Sequence, residues 1–195
     1  MSQDDIADSL RRQRFENFVA ISGCSGGGKS SLMSEMARRG YDTRPEPGRQ
    51  IVKEQIAIDG DGVPWRNAEK FTELCLSRAI LFHNSADASG RHVLFDRSVV
   101  DAVTASTRLG LSLPSRLRNA VNDYRYAPVV FLAPPWEELF ESDHERRHSF
   151  ADAVAEYQAL MESYPAAGYA VTLIPKASIS ERADFLVQQF GNSPA

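Results

Sequence analysis

The sequence predicts an α/β domain with a parallel sheet and helices on both faces. Two observations carry this. Five strand-like runs, at 18–21, 41–44, 92–96, 128–132 and 169–174, alternate with segments of helical periodicity. The first run leads straight into Gly23-Cys24-Ser25-Gly26-Gly27-Gly28-Lys29-Ser30, a glycine-rich turn that opens a helix. At 195 residues the chain suits one well-buried core, so a single domain over 1–195 is expected. A composition of 43% apolar and 25% charged residues fits a water-soluble fold.

The elements follow in order. Residues 1–16 are polar, with only a few apolar positions, and are expected to be a flexible or peripheral segment. After the first strand and its turn, Ser31 to Arg39 is predicted helical and Gly40 stops it. Tyr41 to Arg44 reads as a short strand, ended by Pro45-Glu46-Pro47-Gly48-Arg49, with a helix from Gln50 to Ile58. A turn at 59–64 precedes a long helix over 67–88, with Phe71, Leu74, Cys75, Leu81 and Phe82 at helical spacing. His92 to Asp96 is a strand, 99–109 and 114–124 are helices, and Pro128 to Leu132 is a further buried strand. A charged segment over 142–148 precedes a helix predicted to turn Phe150, Val154, Tyr157 and Met161 inward. Tyr169 to Ile174 is the last strand, and the last helix places Ile179, Ala183, Leu186 and Phe190 on one face.

The chemistry centres on the glycine turn. Its spacing, G-x-x-x-x-G-K-[ST], is that of a P-loop, in which backbone N–H groups wrap a nucleotide's phosphates. Gly23, Ser25, Gly26, Gly27, Gly28, Lys29, Ser30 and Ser31 are the predicted nucleotide-binding residues. Lys29 would reach the β and γ phosphates and the Ser30 hydroxyl would ligate Mg²⁺. The helix that starts there adds free N–H groups and a positive dipole end.

Three further sites are expected at the carboxyl ends of the strands, where open α/β sheets bind ligands. Asp96, ending an apolar run, is predicted to hold the Mg²⁺ or its waters. Arg97 and Asp101 lie one helical turn apart; they read equally as a substrate clamp or as an ion pair. Glu46 reads either as the acceptor of a substrate hydroxyl's proton or as a charge favoured at a helix start, with Arg49 pointing to the same cleft. Arg146 and Arg147 would close over the nucleotide, or lie on a solvated turn.

Other classes are disfavoured. A net charge of −4 gives no basic footprint for nucleic acid, and no apolar run is long enough to span a membrane, so a cytoplasmic location is expected. Cys24 and Cys75 make neither a disulfide framework nor a metal site. Asp96-Arg97-Ser98-Val99 is not D-x-x-G, and no N-K-x-D guanine-reading motif occurs.

The ordered set resembles the small ATPases of the AAA-domain family related to the ribosylnicotinamide kinase domain and, more distantly, to nucleoside and nucleoside-monophosphate kinases. The residues carrying it are the loop 23–30, Pro45 to Arg49, Phe95-Asp96-Arg97 with Asp101, Tyr124-Arg125-Tyr126, Pro134 to Glu137, Asp143 with Arg146 and Arg147, and Ser178 with Glu181, Arg182 and Phe185. The resemblance implies a three-layer P-loop NTPase fold with strand order 2-3-1-4-5, a lid bearing Arg146 and Arg147, and a base-binding edge near Pro175 to Ser178. It also implies ATP as phosphoryl donor, Mg²⁺, and transfer to a hydroxyl or phosphate of a nucleoside- or nucleotide-like small molecule. Glu46 would be the catalytic base and Arg97 a phosphate clamp. The chain departs from deoxynucleoside kinases in carrying Asp96 where they have Glu, which leaves the base role open between Glu46 and Asp96. The alternative is a nucleotide-dependent regulatory module with slow ATPase activity. A monomer or homodimer is compatible with either.

Overall fold

A computed structural model describes residues 16–87, 90–111, 115–140 and 149–190. The predicted strands become β1 (Phe18–Gly23), β2 (Asp42–Arg44), β3 (Val93–Asp96), β4 (Val129–Ala133) and β5 (Ala170–Leu173). The helices are α1 (Lys29–Arg38), α2 (Pro47–Ala57), α3 (Ala68–Asn84), α4 (Val99–Arg108), α5 (Ser115–Asp123), α6 (Phe150–Ala166) and α7 (Ile179–Phe190), with a 3-10 turn at Glu137–Leu139. All strand pairs are parallel and the order is β2-β3-β1-β4-β5.

β1 is central and buried along its whole length, which is why it reads as a continuous apolar run rather than an alternating one. Its side chains still divide between two cores. Phe18 and Ala20 join Phe95, Val130 and Leu132 on the face covered by α3, α4 and α6. Val19 and Ile21 join Leu94, Phe131 and Ala133 on the face covered by α1 and α7. Each such large apolar side chain contributes roughly 1.5–3 kcal/mol by leaving water.

Three expectations are corrected. α2 starts at Pro47, not Gln50, because proline's fixed φ and missing N–H suit the first helical position. Glu46 is thereby its N-cap residue, with extended backbone and no side-chain capping bond, so its carboxylate is left for other partners. In α6 the inward stripe is Ala153, Leu160 and Tyr164, while Val154, Tyr157 and Met161 are only half-buried. That rotation turns Glu156 toward the glycine loop. In α7, Ile179 is exposed, whereas Arg182 lies inside beside Ala183 and Leu186. The predicted lid with Arg146 and Arg147, and residues 1–15 of the N-terminal segment, lie outside the described residues. Among the described residues no helix is long and apolar enough to cross a membrane.

Candidate functional site

The glycine loop folds tightly against the end of β4. A Cβ on Gly23, which has φ +123°, would stand 2.3 Å from the Ala133 carbonyl oxygen. Only glycine fits that approach. Gly28, the N-cap of α1, has φ 72° and offers no side-chain cap, so the first N–H groups of the helix are left to an anion. Lys29 is buried, and its ammonium donates to the carbonyl oxygens of Gly23 (3.0 Å) and Cys24 (2.6 Å). Ser30 and Ser31 are exposed in the first turn. Cys24 and Cys75 are buried free thiols, and burial raises the pKa of both.

Beside the loop, Arg97 gathers carboxylates from three helices or their caps. It takes the left-handed conformation at φ 75°, a strain of about 1–3 kcal/mol for a residue with a Cβ. The strain aims its guanidinium inward, 12% exposed, onto Glu46 (3.0 Å), Asp101 (3.2 Å) and Glu156 (2.8 Å). Glu156 also accepts the backbone N–H of Ser25 at 2.9 Å, tying α6 to the glycine loop. Asp101 closes a capping box with Ser98 at the start of α4. It accepts further bonds from the Tyr164 hydroxyl (2.5 Å) and from Ser22 of β1. Arg49 is at the rim, 4.0 Å from Glu46 and partly exposed.

Burial and neighbouring charge separate the acids. Burial opposes ionisation of Glu46, yet Arg97, Lys29 and Arg49 hold its carboxyl down to about 2. Burial likewise opposes ionisation of Glu156, and Arg97, Lys29 and the Ser25 N–H outweigh it. Asp96 goes the other way: burial first, then the Glu46 charge, push it up to about 7. These shifts fix a pH profile for the ligand-free protein. Glu46 and Glu156 contribute stability above their ordinary carboxyl range; the Glu46 share is lost as pH falls from about 4.5 toward 2, and the Glu156 share is also lost as pH falls below 4.5. Asp96 is costly when ionised, so stability rises as pH falls through 7. The melting temperature is therefore expected to rise as pH falls from 8 and to peak at about pH 4.5–5. A thermal melt series that stays flat or falls steadily from pH 8 to 5 would contradict this.

One oxygen of Asp96, Oδ1, is buried with no hydrogen-bond partner. An orphaned carboxylate oxygen near Lys29 is a donor of the kind a divalent cation takes. Among the described residues no group of three or more His, Cys, Asp or Glu is arranged to hold a metal by itself. The remaining ligands would be phosphate oxygens and water, as is usual for Mg²⁺.

A cavity of about 350 Å³ opens between the loop and α2, α3, α4 and α6. Val52, Phe71, Cys75, Ala102 and Leu160 make its apolar wall, while Ser25, Glu46, Arg97, Asp101 and Glu156 make its polar end. The structure thus brings Glu46, Arg97 and Asp101 together at one cleft with the loop. Sequence reasoning missed Glu156, whose only signal was an acid within one position of a predicted inner stripe. It also assigned no role to Arg182, a cation in inward register on α7.

A family model described as AAA domain matches residues 18–182. No curated protein sequence matches. Among solved structures, the chain is similar to NadR protein in complex with NR, at 15% identity and a TM-score of 0.67, over 95% of this chain and 54% of that one. It therefore spans about half the length of that relative. It is also similar to deoxyadenosine kinase from M. mycoides with bound dATP, at 14% identity and TM-score 0.55, over 90% of this chain and 99% of the other. Thymidylate kinase from Ehrlichia chaffeensis matches at 12% identity and TM-score 0.59, over 89% and 98%. At such identities the likeness is one of fold. The family match over most of the chain, the strand order and these neighbours place it: the protein belongs to the AAA domain family, with the P-loop NTPase fold of nucleoside and nucleotide kinases.

Proposed function

We propose that this protein is a kinase that transfers the γ-phosphoryl of ATP to a hydroxyl group of a small acceptor carrying no phosphate. The observation behind this is the polar end of the cavity. Arg97, the cation at its inner end, is already held by Glu46, Asp101 and Glu156. An acceptor phosphate would meet three carboxylates there, whereas a hydroxyl finds acceptors for its proton. The apolar wall suits a flat, weakly polar body such as a nucleobase.

In this reading Gly23 to Ser31 cradle the phosphates, and Lys29 turns from the loop carbonyls to the β and γ phosphates. Mg²⁺, held by Ser30 and Asp96, would offset phosphate charge. Glu46 orients the attacking hydroxyl. A carboxyl held near 2 is a weak base. In a loose phosphoryl-transfer transition state the attacking oxygen bonds late, so orientation matters more than base strength. Arg97 fixes Glu46; Asp101, whose oxygens are engaged by Ser22, Ser98, Tyr164 and Arg97, fixes Arg97. Arg49 at the rim meets the outer part of the acceptor, and Arg146 and Arg147 are assigned to transition-state charge.

The test is ADP release from ATP and Mg²⁺ with nucleosides, their 5′-monophosphates and other small alcohols as acceptors. Nucleosides or comparable alcohols are expected to stimulate release, and monophosphates are not. Intact ATP binding without stimulation by any acceptor would refute the kinase reading; preference for monophosphates would refute the acceptor class.

A further inference from the structure

Arg182 stands outside every role described above. Its side chain is 1% exposed, on α7, beneath the phosphate loop. Among the described residues no carboxylate pairs with it, and its Nε has no hydrogen-bond partner. Among the described residues its donors reach two acceptors, the carbonyl oxygens of Gly27 (3.0 Å from Nη2) and Gly28 (3.5 Å from Nη1). The approach is close: a Cβ on Gly28 would be 2.6 Å from Nη1. Burying a cation without a counter-charge is unfavourable, and two neutral carbonyls compensate it only in part.

The geometry of those two bonds has a directional effect. Among the described residues the backbone contains no cis peptide. In a trans peptide the carbonyl and the N–H of the same unit point in opposite directions. Holding the Gly27 carbonyl toward α7 therefore turns the Gly28 N–H away from it, and holding the Gly28 carbonyl does the same for the Lys29 N–H. Both donors then point away from the Arg182 guanidinium. The Gly28 carbonyl also accepts the Leu32 N–H (3.2 Å), so the same oxygen anchors the first turn of α1.

We infer that Arg182 is a positioning residue for the nucleotide: it orients the Gly28 and Lys29 N–H groups, and its unpaired charge is balanced by a polyphosphate bound across the loop. The inference rests on the loop being a nucleotide site. The free protein carries the cost of the buried charge, and the bound protein recovers it. Stability and affinity should therefore respond in opposite directions when the charge is removed.

The experiment uses the full chain as Arg182→Met and Arg182→Lys, with thermal melts and calorimetric titration of ATP, ADP and AMP. Without nucleotide, Arg182→Met is expected to melt no lower than the unsubstituted protein. Its ATP affinity should fall at least tenfold, with a smaller loss for AMP, and Arg182→Lys should recover part of the loss. Unchanged ATP affinity would overturn the inference. So would equal losses for ATP and AMP, or an Arg182→Met protein that melts much lower or fails to fold, since each describes a purely structural arginine. Absence of ATP binding by the unsubstituted protein is a separate outcome that removes the nucleotide reading itself.

Discussion

Arg97→Met is expected to lower the unfolding free energy by about 3–5 kcal/mol at pH 7. The substitution keeps the bulk and removes the charge. Glu46, Asp101 and Glu156 then face one another without the guanidinium they share, and the cations that remain, Lys29 and Arg49, act only from farther off. The cost exceeds that of losing exposed ion pairs, typically 0–1 kcal/mol, because water cannot screen these groups. Methionine also inherits the left-handed backbone, so no strain is released. Urea unfolding at pH 7 measures the loss. Part should return at pH 5, where carboxyls no longer held by Arg97 take up protons. A loss below about 1 kcal/mol would show the cluster to be open to solvent and would weaken the case for its holding Glu46 in place.

Lys29→Met should leave the protein folded and nearly inactive. Among the described residues the ammonium hydrogen-bonds to the loop's own carbonyls and to no other element, so its removal disturbs little packing. Turnover of ATP is expected to fall at least ~100-fold, the scale on which removing one fixed charge-stabilising donor acts. Nucleotide affinity should weaken with it. Circular dichroism melts alongside steady-state kinetics separate the two effects. Normal turnover by a well-folded Lys29→Met protein would reject the assignment of the loop.

What could be read in advance divides along physical lines. The parallel sheet was legible because β1, β3 and β4 are buried on both faces and so write unbroken apolar runs. The glycine loop was legible because its backbone geometry excludes other residues, as at Gly23. Strand order came from resemblance, since nothing local in β2 or β5 says which strand each will join. The cluster was half legible. Glu46, Asp96 and Arg97 lie at strand ends, where proline or a change from apolar to charged marks them. Glu156 and Arg182 lie mid-helix, where the helical period can be misplaced by one residue, as it was in α6. Their partners, Ser25, Gly27 and Gly28, are far away in sequence and are reached only through tertiary packing.

The position of β1 also bears on how the chain acquires its shape. It is made first among the strands, yet its neighbours in the sheet come from residues 93–96 and 129–133, and no hairpin can pair it earlier. On the ribosome this apolar segment must wait at least until residues 93–96 have been made. Folding dominated by such distant pairings is slow, since loops must close before they are rewarded. Through that interval the stretch 18–23 is the natural binding site for a chaperone and the natural starting point for aggregation.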